Sequence, residues 1–541
     1  VRASAVDTKL YIFSNRFKFF GDPESRQFFI GNDLSFPPDF SKYRVDGLSK
    51  EHRILFGPIF VSRSYMYTTD NDGLRGAVRR LTCVREPDTR GLHKRLMRSQ
   101  FRIRSYLGRY LSDYIVSFRF KMRNILNGVE ETSYELRTAW CEKAHPKKRL
   151  RYMARDELVL GGTDRGTRVD IVDYKCKPGE LLAAGKYLRA VGDLTCPGST
   201  VLGYFMDFVK EAFSIPYSLN GCNTRFIKSP QHDTLVSTFS NLMNPELVEI
   251  IFFSDDSCVS IRCRDGRIFV CNMDISACDG SNFDPVFLIL EEMMNEDSRY
   301  ARDVRRAFKQ CRLPCKIRSS NGKFKIKLKP KYYTLYSGSI LTTSINNVAN
   351  TLISLCVFKS VLERGPPSYE DAPQLIRDAA ATAGYLVKID QCNKPEDIQF
   401  LKISPTYVNG DLRIFVNLGA VLRGLGHTKS ELEFGKKSLE YRCAMHTSGV
   451  VKSFKHIGQH CVWDALQHLI IDDDHVVNDF DTFWRNIDSS TYIPDEALLS
   501  RYGIEDYELS HFCERVRSSG LYSVLHCPVL DKIYAKDYGY Q

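Results

Sequence analysis

Residues 250–280, IIFFSDDSCVSIRCRDGRIFVCNMDISACDG, constrain this chain more than any other stretch. Three short apolar runs, 250–253, 258–263 and 268–274, are separated by two polar turns, Ser254-Asp255-Asp256-Ser257 and Arg264-Asp265-Gly266-Arg267. Apolar runs of this length between turn residues read as strands, and Asp-Gly between two of them marks a hairpin. A two-residue turn centred on Asp265 and Gly266 sets Asp274 opposite Ser257, next to Asp255 and Asp256. Three carboxylates then converge at one end of a small sheet. Carboxylates crowded in this way repel unless a cation lies among them, and hard oxygen ligands suit Mg²⁺, with Mn²⁺ as a substitute. Asp255, Asp256 and Asp274 are therefore the expected metal ligands. A two-metal site for in-line phosphoryl or nucleotidyl transfer needs such an arrangement.

At 541 residues the chain exceeds what one hydrophobic core supports, so several subdomains are expected. A hydrophobic share of 43% excludes a disordered class. The net charge of +11 suits a polyanionic partner. The 17 cysteines, an odd number without a repeating frame, fit free thiols better than a disulfide scaffold. Cys311-Arg-Leu-Pro-Cys315 and His460-Cys461 lack partners at zinc-ligand spacing. The longest apolar stretch, 348–358, is interrupted by Asn350, Thr351 and Ser354 and reads as too short and too polar to span a bilayer. No signal peptide is visible. The chain opens at Val1 rather than Met, which reads as a fragment or a processed product.

Along the chain, residues 1–72 are rich in aromatics and proline, with strand-like runs at 10–13 and 28–30. They read as an irregular extension wrapped over the rest. Residues 73–123 turn helical and basic. In the next basic region Lys175, Lys177, Lys186 and Arg189 are interleaved with turn residues, which places them on loops and hairpins. Such a surface can clamp a triphosphate, and the Arg189 guanidinium can stack on a base; an exposed basic hairpin is the plain alternative. Asp284-Pro285 opens a helix to Met294, with Asp284 as its N-cap. In 323–331, period two puts Lys323, Lys325 and Lys327 on one strand face and Phe324, Ile326 and Leu328 on the other. That row either tracks a phosphate backbone or protects a sheet edge. Ser337-Gly338-Ser339 feeds a helix over 341–362, where Thr342 and Asn346 share a face. A helix over 371–383 stops at Gly384, and a strand over 385–389 carries Lys388. Residues 399–403 and 412–416 form a hairpin across 408–411, and mixed helix follows from 424.

Six of these features resemble the motifs of viral RNA-dependent RNA polymerases. Asp274-Ile-Ser-Ala-Cys-Asp279 resembles motif A. Ser337-Gly338, Thr342 and Asn346 are similar to motif B, and Ser254-Asp255-Asp256 to motif C. Lys388, after a helix, a glycine and a strand, resembles motif D; Phe400-Leu401-Lys402 resembles motif E; Lys175 through Arg189-Ala190-Val191 is similar to motif F. The resemblance covers residues 143–420. The motif C candidate here precedes those of A and B. The order C–A–B resembles the permuted palms of birnaviruses and permutotetraviruses. Ser-Asp-Asp departs from the Ala-Asp-Asn of birnavirus polymerases. In the family's palm the strands of motifs C and A are antiparallel neighbours, so the short turn at 264–267 joins them without altering their arrangement.

The resemblance implies an α+β right-hand polymerase fold of fingers, palm and thumb, with an RRM-like antiparallel palm sheet of permuted connectivity. It divides the chain into an N-terminal extension (1–72), fingers (73–245), palm with motifs C and A (246–295), a fingers insertion (296–335), palm with motifs B, D and E (336–423) and thumb (424–541). It implies template-directed RNA synthesis in which Asp274 and Asp255 hold two Mg²⁺ ions, Asp256 supports them, and Lys388 is a general acid toward pyrophosphate. Lys175, Lys177, Lys186 and Arg189 would neutralise the incoming nucleotide. Asp279 and Asn346, with Ser337 or Thr342, would hydrogen-bond its ribose 2′-hydroxyl, and Gly338 would lie beside the nucleotide. Lys323, Lys325, Lys327 and Lys402 would meet RNA. The implied partners are template and nascent RNA, NTPs, and a protein primer or other viral replication proteins. The implied location is a replication complex in the host cytoplasm, or the virion. Two other readings stand beside this one. A reverse transcriptase-like palm enzyme is disfavoured by Asp279 with Asn346. A non-catalytic RNA-binding viral protein is disfavoured by the intact carboxylates, since unused buried charge is costly.

Overall fold

A computed structural model describes residues 17–25, 53–56, 60–61, 68–69, 89–144, 149, 172–176, 190–192, 197–228, 230–295, 297–319, 322–425, 427–428, 438–453, 459–471 and 491–539. The expected strand-like runs at 10–13 and 28–30 lie outside these residues. The chain is α+β. Its first strands, β1 (Phe17–Phe20), β2 (Arg53–Leu55), β3 (Phe60–Val61) and β4 (Thr68–Thr69), each pair with a segment from the far half of the chain. The basic helical region holds two long helices, Thr89–Leu107 and Arg109–Leu126. β5 (Val172–Cys176) and β6 (Ala190–Gly192) form an antiparallel pair.

The strands that position the carboxylates come next. β7 (Tyr217–Leu219), β8 (Cys222–Phe226), β9 (Val248–Phe253), β10 (Asp256–Arg262) and β11 (Ile268–Ile275) lie in one sheet. β12 (Cys315–Ser319) and β13 (Lys325–Pro330) belong to another, and β14 (Val387–Cys392) returns to the first. The central sheet has the order β14-β11-β10-β9-β8-β7. Its neighbours are antiparallel except β8 and β9, which run parallel, so the sheet is mixed rather than wholly antiparallel. Alternation sorts its side chains into two cores. Ile250, Phe252, Val259, Ile261, Phe269, Cys271, Met273 and Ile275 pack with Ile345, Val348 and Leu352 of the helix Thr342–Arg364. Ile251, Cys258, Val270 and Cys392 face the other way, against Leu235, Phe239 and Leu242 of the helix His232–Met243. Both faces are thus covered, which explains the nearly continuous apolar strands.

The hairpin register differs by one residue from the two-residue-turn reading. Asp274 stands opposite Asp256, not Ser257. The reason is backbone conformation. A two-residue type I′ turn needs positive φ at both central residues. Here only Gly266 has it, at 83°. Asp265 instead turns its carboxylate onto Arg267, accepting from the backbone N–H at 3.1 Å and from Nε at 2.6 Å. The loop is three residues long, closed by Cys263 N–H to the Arg267 carbonyl at 2.8 Å. Elsewhere the two-residue form does occur. β15 (Ile403–Val408) and β16 (Asp411–Val416) are joined by Asn409 and Gly410 at φ 53° and 89°. β15 begins at Ile403 rather than at 399, because Leu401 and Lys402 are left-handed, at 54° and 64°.

Other boundaries shift slightly. The helix Asp284–Met294 is capped by Phe283, with Asp284 in its first turn rather than at the cap. The long helix spans Thr342–Arg364 and, among the described residues, is the one long and apolar enough to cross a membrane. The apolar stretch at 348–358 is therefore part of a longer segment than its interruptions suggest. Of the helix's most apolar window, 83% is buried inside the protein, as in a core helix. The second sheet runs β1-β13-β12-β5-β6. β13 carries the alternating lysines and is flanked on both sides, so their role is not edge protection.

Candidate active site

The β10–β11 register builds one polar row across the central sheet. Asp256 opposes Asp274, and Asp274 opposes Lys388 on β14. Asp274 and Lys388 are exposed; Asp256 is half-buried. Like charges directly across a ladder are unfavourable. Burial raises the Asp256 carboxyl to about 7; the N–H of Leu401, donated at 2.8 Å, pulls it down, and the charges of Asp255 and Asp274 push it up again. Asp255 lies in the turn before β10, exposed. Among the described residues no three acidic, histidine or cysteine side chains already form a metal-binding group. The donors nonetheless suit a hard divalent cation. They are carboxylate oxygens, and the half-buried Asp256 is held where ionisation is unfavourable without added positive charge.

The turn that carries Asp255 is fixed by three asparagines, of which sequence spacing singles out only Asn346, and for a different role. Ser254 is left-handed at φ 55°. The Asn347 side chain accepts from its N–H at 3.2 Å, Asn350 donates to its carbonyl, and Asn346 donates to its hydroxyl at 3.2 Å. All three lie on the long helix and are buried. The available signal was three amides at positions i, i+1 and i+4 in an otherwise apolar helical run.

Asn346 also joins Asp279, which lies outside the row in the short helix Cys278–Ser281 that follows β11. Its amide donates to Asp279 at 2.8 Å, and its carbonyl accepts from Cys278 Sγ at 3.2 Å and Asn282 Nδ2 at 3.3 Å. Ser337 donates to the other oxygen of Asp279. Asp279, Ser337 and Asn346 thus form one network, reached from the carboxylate turn through Ser254. Gly338 is left-handed at φ 94°, and a Cβ there would come within 2.7 Å of Val191. Gly192 N–H bonds the Ser337 carbonyl at 3.1 Å, which ties β6 to this loop. Thr342 is one turn from Asn346, but its hydroxyl faces the Tyr336 carbonyl at 3.5 Å rather than joining the network.

The remaining candidates are more scattered. Lys175 lies on β5 opposite Val191, with its side chain outside the described residues. Lys177, Lys186 and Arg189 lie outside the described residues altogether. Lys402 is half-buried, and its ammonium is engaged within the protein: it bonds the Asp537 carbonyl and lies over the Tyr538 ring at 4.2 Å. Burial lowers its pKa, against the pull of Asp537 and Asp256. Asp537 in turn is buried, accepting from Arg501 at 2.8 Å, Tyr502 at 2.9 Å and Gly419 N–H at 2.7 Å. The C-terminal helix Pro528–Tyr538 therefore braces the loop whose Leu401 N–H holds Asp256. Of the suspected zinc fragments, Cys311 and Cys315 are buried free thiols. The His460 ring caps a helix, accepting from Trp463 N–H at 3.1 Å, and burial lowers its pKa to about 4.

No family model matches the chain, and no curated protein matches it by sequence. Among solved structures it is similar to the RNA polymerase VP1 of infectious pancreatic necrosis virus, at 13% identity and a TM-score of 0.40, over 73% of this chain and 53% of that one. It is also similar to the birnavirus VP1–VP3 complex, at 14% identity and a TM-score of 0.39, with the same coverage. The chain spans about half the length of these structures.

Two outcomes follow from the geometry. In metal-free protein, Asp256→Asn stabilises the fold at pH 8, by an amount on the order of a few kcal/mol. The raised carboxyl penalises folding only when ionised. The gain is therefore absent below about pH 4, where both side chains are neutral, grows as pH rises, and levels off above about 7. Chemical denaturation across that range, with and without Mg²⁺, measures it; Mg²⁺ should abolish the gain. Asn350→Ala removes the donor to the half-buried Ser254 carbonyl and should cost about 1 kcal/mol, read by the same denaturation.

Proposed function

We propose that this chain copies RNA: it transfers a nucleotide from an NTP to the 3′-hydroxyl of an RNA strand, directed by an RNA template. The observation that carries this reading is the row Lys388–Asp274–Asp256, with Asp255 in the adjoining turn and the Asp279–Asn346–Ser337 network joined to that turn through Ser254. Cations bound among Asp255, Asp256 and Asp274 would supply charge that acidifies the attacking hydroxyl and offsets the triphosphate. The protein's own groups do the rest. Asp274 and Asp255, both exposed, are the ligands open to solvent; Asp256 is held from behind by the Leu401 amide. Lys388, one strand from Asp274, is placed to give a proton to departing pyrophosphate. Asp279 and Asn346 now bond each other, so a ribose 2′-hydroxyl would enter by taking over one of those bonds. In this reading the central sheet is a palm with permuted motif order C–A–B, 73–245 and 296–335 serve as fingers, and 424–541 as thumb. The work belongs to a viral replication complex in the host cytoplasm or to the virion.

The purified chain, given an RNA template, NTPs and Mg²⁺, should lengthen RNA. Asp274→Ala and Asp255→Ala should each abolish extension, and full activity in either would remove the site assignment. Asp279→Ala should reduce the preference for NTPs over dNTPs about tenfold, the worth of a charged hydrogen bond. Efficient use of dNTPs by the unaltered chain would favour a reverse transcriptase-like enzyme. RNA binding without extension would favour a non-catalytic role.

A further inference from the structure

The second sheet has a face that the chemistry above leaves unused. β13 sets Lys325, Lys327 and Lys329 on one side, all exposed, with Ile326 and Leu328 buried on the other. On β12, Lys316 stands opposite Lys327 and Arg318 opposite Lys325. On β1, Lys18 stands opposite Lys329. Directly opposed residues share a face, so six cations occupy three adjacent strands. Each of the three pairs is a like-charge contact, unfavourable by itself. Among the described residues none of the six makes an ion pair. Lys323, just before the strand, is different, paired with Glu24 at 3.4 Å. The acid nearest the row in register is Asp173, beside Lys316 across the parallel β5. Phe20, opposite Lys327, is 47% exposed on the same face.

We infer that this face is a track for the phosphates of single-stranded RNA, with Phe20 as a stacking platform for a base. It deepens the reading of the chain as an RNA-copying enzyme, from which it takes only the choice of polyanion. An interior strand has no open edge to guard, so the repulsion on β13 calls for an anion. Alternate lysines along a strand repeat at about 6.6–6.8 Å, a row that suits successive phosphates better than one compact triphosphate. Aromatic rings among cations are the usual means of holding single strands without regard to sequence. The same sheet ends at β6, which is tied to the Ser337 loop. Three strand spacings, about 14 Å, separate β13 from β6.

The test is binding of a single-stranded RNA oligonucleotide to the full chain, followed by fluorescence anisotropy from 50 to about 300 mM salt. The triple variant Lys325→Gln/Lys327→Gln/Lys329→Gln should bind at least about tenfold more weakly, with the salt slope reduced by about 2, at roughly 0.7 for each phosphate left without its lysine. Its melting temperature should be equal to or above that of the unaltered chain, because the like-charge repulsion is relieved. Phe20→Ala should weaken binding by roughly tenfold without changing the slope. A control that neutralises Arg515, Arg517 and Lys532, on two helices distant in sequence, should leave both quantities nearly unchanged. Unchanged affinity and slope in the folded triple variant, or an equal loss in the control, would overturn the proposal. So would displacement of the oligonucleotide by free NTP with the same dependence on the three lysines. Extension of RNA plays no part in the readout, so a chain that binds on this face but does not polymerise would sink the proposed function and leave this inference standing.

Discussion

Two carboxylates on one rung of an antiparallel ladder are the constraint around which this protein is arranged. Asp256 and Asp274 face each other across β10 and β11. Nothing in sheet formation favours that; the pairing costs free energy from repulsion, and burial makes it worse on the Asp256 side. The surroundings hold the rung rather than relieve it. A three-residue turn fixes the register at one end. At the other, three buried asparagines fix Ser254 from three directions. A left-handed Leu401, in a loop braced by the C-terminal helix, aims an amide at Asp256. Backbone strain of this kind is kept where the surrounding structure over-determines it, and it gathers at functional sites.

Asn346 gives the arrangement its second property. One amide group spans the carboxylate turn and Asp279, so the Asp279 network and the turn share a support. A substitution at Asn346 would therefore disturb both, whereas the Asn350 side chain bonds the turn and the helix backbone but not Asp279. The polar stripe lies on a helix otherwise sealed in the core, which keeps the support rigid.

Much of this was legible in the chain. Alternating apolar runs and turn residues announced the β9–β10–β11 meander, and the Asp-Gly turn brought Asp274 within one residue of its observed partner Asp256. The register was misread by one residue because Asp-Gly is shared by two turn types, and the choice depends on whether Asp265 takes positive φ; its bonds to Arg267 decide that, and such bonds have no signature in spacing. The asparagine clamp was hidden for a related reason. Polar residues in an apolar helix show only as interruptions until the partner loop is in place. The fate of Lys402 needed Asp537, far along the chain. The edge role for the lysines of β13 fell because β1, from the extreme N-terminal part, pairs with it; strand order over such separations follows from closing the sheet, not from local pattern.

Crystals soaked in Mn²⁺ test the proposed metal centre at this rung most directly, through anomalous scattering. The account predicts peaks at about 2.1 Å from carboxylate oxygens of Asp274 and Asp255, with Asp256 within reach. Peaks confined to other sites, with these carboxylates bare at saturating Mn²⁺, would contradict it.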